Sequence, residues 1–110
     1  MTGARQAMDL AMTEKELQEG LVAHAHLHGW LAYHTHDSRR SVAGFPDLIL
    51  VRDGECLAWE LKKEKGRPRA GQLEWLDELG RVPGIEADLI RPSTYDRALE
   101  RLAQPRRPQP

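Results

Sequence analysis

The sequence predicts an α/β fold, one mixed sheet between helices, in the order αβββαβα. Three observations carry that prediction. Asp53-Gly54 stands between two apolar runs, the strongest short-range signal of a β-hairpin closed by a two-residue loop. Both runs are apolar on both faces, with Leu48, Leu50, Leu57, Trp59 and Leu61 on one and Ile49, Val51, Cys56 and Ala58 on the other. Strands of that kind are central and covered from both sides. The stretches before and after the hairpin carry apolar residues at helical spacing, which supplies the cover.

In chain order, residues 1–12 carry no usable pattern and are expected to be a flexible, partly helical lead-in. Thr13-Glu14-Lys15-Glu16 matches a capping box, so a helix begins there and continues through Leu17, Leu21, Val22 and Ala25 to about Gly29. Trp30 to His36 reads as a strand rich in aromatic and β-branched residues. Residues 37–44 form a polar loop, and the hairpin strands follow near 47–52 and 55–62. Gly66-Arg67-Pro68 breaks the chain before a second helix over Arg69 to Leu79, with Gln72, Trp75, Leu76 and Leu79 on one face. Pro83-Gly84 turns into a strand over Ile85 to Arg91, and Pro92-Ser93-Thr94 starts a third helix carrying Ala98, Leu99 and Leu102. Residues 13–103 thus form the domain, and 104–110 are expected to be a disordered Pro/Arg tail, a basic arm.

A chain of 110 residues with 40% hydrophobic content builds one modest core. No apolar run approaches the roughly 20 residues of a membrane span, and no signal peptide is visible. The single cysteine, Cys56, excludes an internal disulfide and fits a reducing compartment, so a cytoplasmic location is expected. A net charge of −1 gives no global argument for nucleic acid. Distribution says more. Residues 62–69 hold five cations against one anion, and Arg39-Arg40 lies ahead of the hairpin.

The turn also fixes geometry. With residues 53 and 54 as the loop, Arg52 pairs with Glu55, and counting outward sets Asp47 opposite Glu60, with Lys62 on the same face. Cβ atoms so opposed lie about 4.5–5.5 Å apart, where like charges destabilise. Two such carboxylates call for a divalent cation with oxygen ligands. Polar residues also interrupt the apolar faces of two helices, Glu14 and Gln18 on the first and Gln72 on the second. Buried without partners they would be costly, so their convergence on the carboxylate pair is expected. Each also has a plainer reading: Glu14 favours a helix N-terminus electrostatically, Gln72 is a first-turn polar residue, and Lys62 is a strand-end lysine. Glu16 is explained by the capping box. His24 and His28 share a helix and His34 and His36 a strand face. No third and fourth ligands are evident beyond Cys56, so structural zinc is not expected.

Pro46-Asp47, then twelve residues, then Glu60-Leu61-Lys62 resembles the signature of the PD-(D/E)xK nuclease superfamily. The wider context is more specific: Thr13-Glu14 with Gln18, His34-Thr35-His36 leading through Asp37 to Gly44-Phe45-Pro46-Asp47-Leu48, and Gln72 followed by Trp75-Leu76 and Leu79. Together these look like the VRR-NUC (virus-type replication-repair nuclease) family in its small stand-alone phage form, over Thr13 to Leu102. The resemblance implies a restriction-endonuclease-like αβββαβ core with an extra C-terminal helix. It implies a Mg²⁺- or Mn²⁺-dependent, structure-selective DNA endonuclease, like a Holliday-junction resolvase or a nicking enzyme, acting as a homodimer in the host cytoplasm if phage-encoded. Asp47, Glu60 and the backbone carbonyl of Leu61 would hold the metal, Lys62 would orient the attacking water, and Glu14 and Gln72 match the remaining motif positions. Contacts to branched, nicked or duplex DNA would come from Arg39, Arg40, Lys63, Lys65, Arg67 and Arg69. The competing reading is a non-catalytic DNA-binding or scaffold module that keeps the fold. A hydrolase of another phosphoester is disfavoured by the lack of a glycine-rich phosphate loop.

Overall fold

The computed structural model describes residues 2–35 and 42–108. Its elements are α1 (Thr2–Ala11), α2 (Glu14–Leu27), β1 (Leu31–His34), β2 (Leu48–Arg52), β3 (Glu55–Leu61), α3 (Ala70–Gly80), β4 (Ile85–Ile90), a 3₁₀ turn (Pro92–Thr94) and α4 (Tyr95–Leu102). The strands form one sheet in the order β1-β2-β3-β4, antiparallel except for the parallel β3–β4 pair. This is the expected mixed α/β architecture, a restriction-endonuclease-like core with a C-terminal helix. No helix among the described residues is long and apolar enough to cross a membrane.

The hairpin takes the register its turn dictates. Asp53 and Gly54 have φ of 49° and 78°, the two positive values a type I′ turn needs. Pairing then runs from Arg52↔Glu55 to Leu48↔Trp59. The capping box also forms: Glu16 N–H donates to Thr13 Oγ1, and Thr13 N–H to Glu16 Oε1, both at 3.0 Å.

The two sides of the sheet are covered unequally. Leu48, Leu50, Leu57, Trp59, Leu61 and Ile90 are buried against Leu17, Leu21 and Ala25 of α2 and Ala98 and Leu102 of α4. On the other side α3 lies against β3 and β4. The β1–β2 half of that side stays open, contrary to the cover expected there. Leu31 and Tyr33 are 72% and 58% exposed, and Val51 is exposed beside them. An eleven-residue helix over two strands does not reach the other two.

The bounds of the first strand change, and the two ends of the chain gain detail. The first strand is shorter, because Trp30 is buried ahead of it and donates its indole N–H to the Leu102 carbonyl (3.0 Å). The lead-in contains a ten-residue helix, α1. Ala4, Ala7, Met8 and Ala11 recur at helical spacing, and an Arg5–Asp96 ion pair ties α1 to α4. Part of the tail is fastened too. Arg106 grips both Asp53 carboxylate oxygens (2.6 and 2.9 Å), and Arg52 donates to the Gln104 carbonyl (3.0 Å).

Candidate active site

The site forms where the β2–β3 ladder ends. Beyond Leu48↔Trp59 the next pair is Asp47 and Glu60, and side chains replace the ladder there. Asp47 N–H donates to Glu60 Oε1 (3.2 Å), and Leu61 N–H donates to Asp47 Oδ2 (2.9 Å). The cross-strand pair read from the turn is therefore in contact. In an extended antiparallel strand the N–H and C=O of one residue point to the same side, so the Leu61 carbonyl points to the β2 side of the strand.

Glu60 is fully buried, and its Oε2 has no hydrogen-bond partner among the described residues. Burial, then the adjacent Asp47 carboxylate, pushes the Glu60 carboxyl up to about 8, against an opposing pull from Lys62. A buried acceptor without a donor carries a desolvation cost, and a cation between the two carboxylates would remove it. Among the described residues no three His, Cys, Asp or Glu side chains cluster to hold a metal. The oxygen donors brought together here are the Asp47 and Glu60 carboxylates. They fit Mg²⁺ or Mn²⁺, which keep several waters, rather than an ion that needs a full protein cage.

The loop ahead of Asp47 is set by a close approach. Gly44 has φ +89°, and a Cβ there would lie 2.7 Å from the carbonyl carbon of Gly71 and 3.1 Å from Gln72 N. Next to it the Phe45 and Trp75 rings meet edge to face at 5.1 Å, and Pro46 is buried. The first turn of α3 is thereby brought beside Asp47. A cleft of about 330 Å³ results, lined by Thr35, Gly44, Asp47, Arg69, Gly71 and Gln72. Gln72 Oε1 accepts from Arg69 N–H (2.8 Å), so the start of α3 engages its oxygen and not its amide nitrogen.

Lys62 follows β3, half-buried, with its N–H on the Ile90 carbonyl (3.1 Å). Lys63, Lys65, Arg67 and Arg69 are exposed on the segment that follows. Arg39, Arg40 and His36 lie outside the described residues. Glu14 is not brought in. It is exposed on α2, and α2 packs on the Leu48/Trp59/Leu61 side of the sheet, opposite Asp47 and Glu60. Gln18 has a local partner instead, with its Nε2 3.2 Å from His34 Nδ1. Gly44 and Phe45 are positioning residues that no chemical motif marks; their signal in the sequence is a glycine-aromatic pair immediately before Pro46-Asp47.

The profile of the VRR-NUC domain matches residues 6–92. The chain has no significant match among curated proteins or among solved structures.

Proposed function

The chain belongs to the VRR-NUC domain family, which implies a nuclease-type function, and from that premise we propose a Mg²⁺- or Mn²⁺-dependent, structure-selective DNA endonuclease. The observation that carries the metal dependence is the buried, unpartnered Glu60 Oε2 beside Asp47.

When bound, the cation supplies an activated water and relieves charge on the phosphate. The remaining work falls to this chain's residues. Asp47 and Glu60, with the Leu61 carbonyl, would hold the ion. Lys62 orients the water and stabilises charge on the scissile phosphate. Gln72, its oxygen engaged by Arg69 N–H, donates its amide to a phosphate oxygen. Lys63, Lys65, Arg67 and Arg69 contact the duplex backbone, which positions DNA without reading sequence. Arg39 and Arg40, outside the described residues, are proposed as further phosphate contacts on their charge alone, and Glu14 joins only if the end of α2 moves toward the pair. Junction resolution by a homodimer belongs to the same proposal; the open Leu31–Tyr33–Val51 surface supports an interface there.

Incubation with branched, nicked and linear DNA in Mg²⁺, Mn²⁺ or EDTA tests the reading. Metal-dependent cleavage lost in Glu60→Ala and Lys62→Ala is expected. DNA binding without cleavage by the wild type would favour the non-catalytic module.

A further inference from the structure

The loop that carries most of the positive charge near the site is held from behind by a residue outside every motif described above. Arg91 directly follows β4. Its Nη1 donates toward three carbonyls, those of Lys63 (3.0 Å), Glu64 (3.0 Å) and Gly66 (2.7 Å). The loop is fastened twice more: Ser93 N–H donates to the Glu64 carboxylate (3.1 Å), and Gly66 N–H to the Lys63 carbonyl (2.9 Å). Arg91 is itself fixed, its N–H donating to Thr94 Oγ1 (3.0 Å).

A cation behind a cationic loop is an unfavourable placement by charge alone. The carbonyl dipoles offset it, since hydrogen bonds from a charged donor are roughly twice as strong as neutral ones. Turning the carbonyls inward leaves the lysine side chains outward, and Lys63 and Lys65 are exposed while Arg91 is half-buried. The Nη1 donors of Arg91 are thereby taken up by the loop.

We propose that Arg91 is the positioning residue of the DNA-contact loop, fixing residues 63–66 so that their lysines meet backbone phosphates at a set place relative to Asp47 and Glu60. The proposal rests on the nuclease reading for its ligand. Lys62 has a backbone anchor separate from the Arg91 side chain: its N–H is held by the Ile90 carbonyl, in continuation of the β3–β4 ladder. Loss of Arg91 should then weaken substrate binding far more than turnover.

The experiment compares wild type with Arg91→Ala, Arg91→Gln and Arg91→Lys on nicked duplex DNA. It reads KM and kcat in Mg²⁺, Kd against salt in EDTA, and hydrogen exchange at the Gly66 amide. Arg91→Ala is expected to raise KM and Kd about tenfold by releasing a preorganised loop, with kcat held within about threefold. Gly66 exchange should accelerate. Arg91→Lys, with three donors for three carbonyls, should recover most of the binding. Unchanged KM and Kd with a lowered Tm would overturn the proposal, as would a fall confined to kcat, or misfolding of both the Ala and Gln variants. If wild type cleaves no DNA in either metal, the nuclease reading fails, while Kd in EDTA and Gly66 exchange still decide the role of Arg91.

Discussion

Glu60→Gln isolates the cost of holding a buried carboxylate beside another. The Glu60 carboxyl is raised from 4.5 to about 8, chiefly by burial and then by Asp47. Between those values the unfolded chain carries the carboxylate and the folded chain the acid. The folded state then binds one more proton, so stability falls as pH rises through that window. At ~1.36 kcal/mol per unit the full shift bounds the effect near 5 kcal/mol. Relaxation of the sheet end and entry of water bring the expected value to about 2–3 kcal/mol. Glutamine fills the same space with no charge to desolvate. Thermal melts of metal-free wild type and Glu60→Gln should nearly coincide near pH 5 and separate by about 10 °C or more near pH 8.5, the variant melting higher. Mg²⁺ should raise the wild-type melt at the higher pH and leave the variant unmoved, because only the wild type keeps both carboxylates. A pH-independent difference, or a variant that melts lower at high pH, would refute the assignment of strain to Glu60.

Three other outcomes follow from the geometry. Lys62→Met keeps the aliphatic length and removes the charge, so single-turnover cleavage should slow by about 10²–10³-fold while DNA binding in EDTA changes little. Gly44→Ala forces a Cβ to 2.7 Å from the Gly71 backbone at φ +89°; chemical denaturation should show a loss of about 2 kcal/mol or more, whereas Gly71→Ala, with open space at its Cβ, should not destabilise. Glu55→Gln breaks a buried pairing with Arg52 and Arg101, expected to cost about 3 kcal/mol near neutral pH. Burial opposes the Glu55 charge but the arginines outweigh it and lower its pKa. Its stabilisation is therefore present above the unfolded value and lost as pH falls through the folded one, and the variant should lack that acid limb in its melting profile.

What the sequence disclosed and what it hid divide along one line. Asp53-Gly54 sets its own backbone angles, so the register, and with it the contact of Asp47 with Glu60, follows from local chemistry. The capping box at Thr13 is local in the same sense. Glu14 shows where that reasoning stops. Helical spacing tells which residues share its face, but not which side of the sheet receives that face. Gln72 reaches the Asp47 cleft because Gly44 meets Gly71 across more than twenty residues of chain, a contact that no periodicity encodes. Arg91 reads as an ordinary strand-end arginine until three carbonyls from an earlier loop surround it. The open half of the sheet escaped because apolar strands reveal that cover is needed, not how far one helix extends.

Strand β3 places the two kinds of buried carboxylate side by side for comparison. Glu55 and Glu60 stand at its two ends, about 17 Å apart at ~3.3 Å per residue. At the turn end Glu55 is gripped by Arg52 and Arg101, both stacked near Trp30, and its pKa falls. At the other end Glu60 faces a second carboxylate, one oxygen goes unpartnered, and its pKa rises. Had the chain needed only a folded hairpin, an apolar residue at position 60 would have served better, as the four buried residues at 57–59 and 61 do on the same strand. At the arginine-bound end, Arg52 joins the turn to the C-terminal segment through the Leu102 and Gln104 carbonyls and to the end of α2 through the His28 carbonyl. That network stabilises the scaffold far from the pair, while the Glu60 end keeps an unpartnered oxygen. A carboxyl pKa pushed down at one end and up at the other sets two environments for one residue type on one strand, structural at Glu55 and, in the proposed nuclease, metal-binding at Glu60.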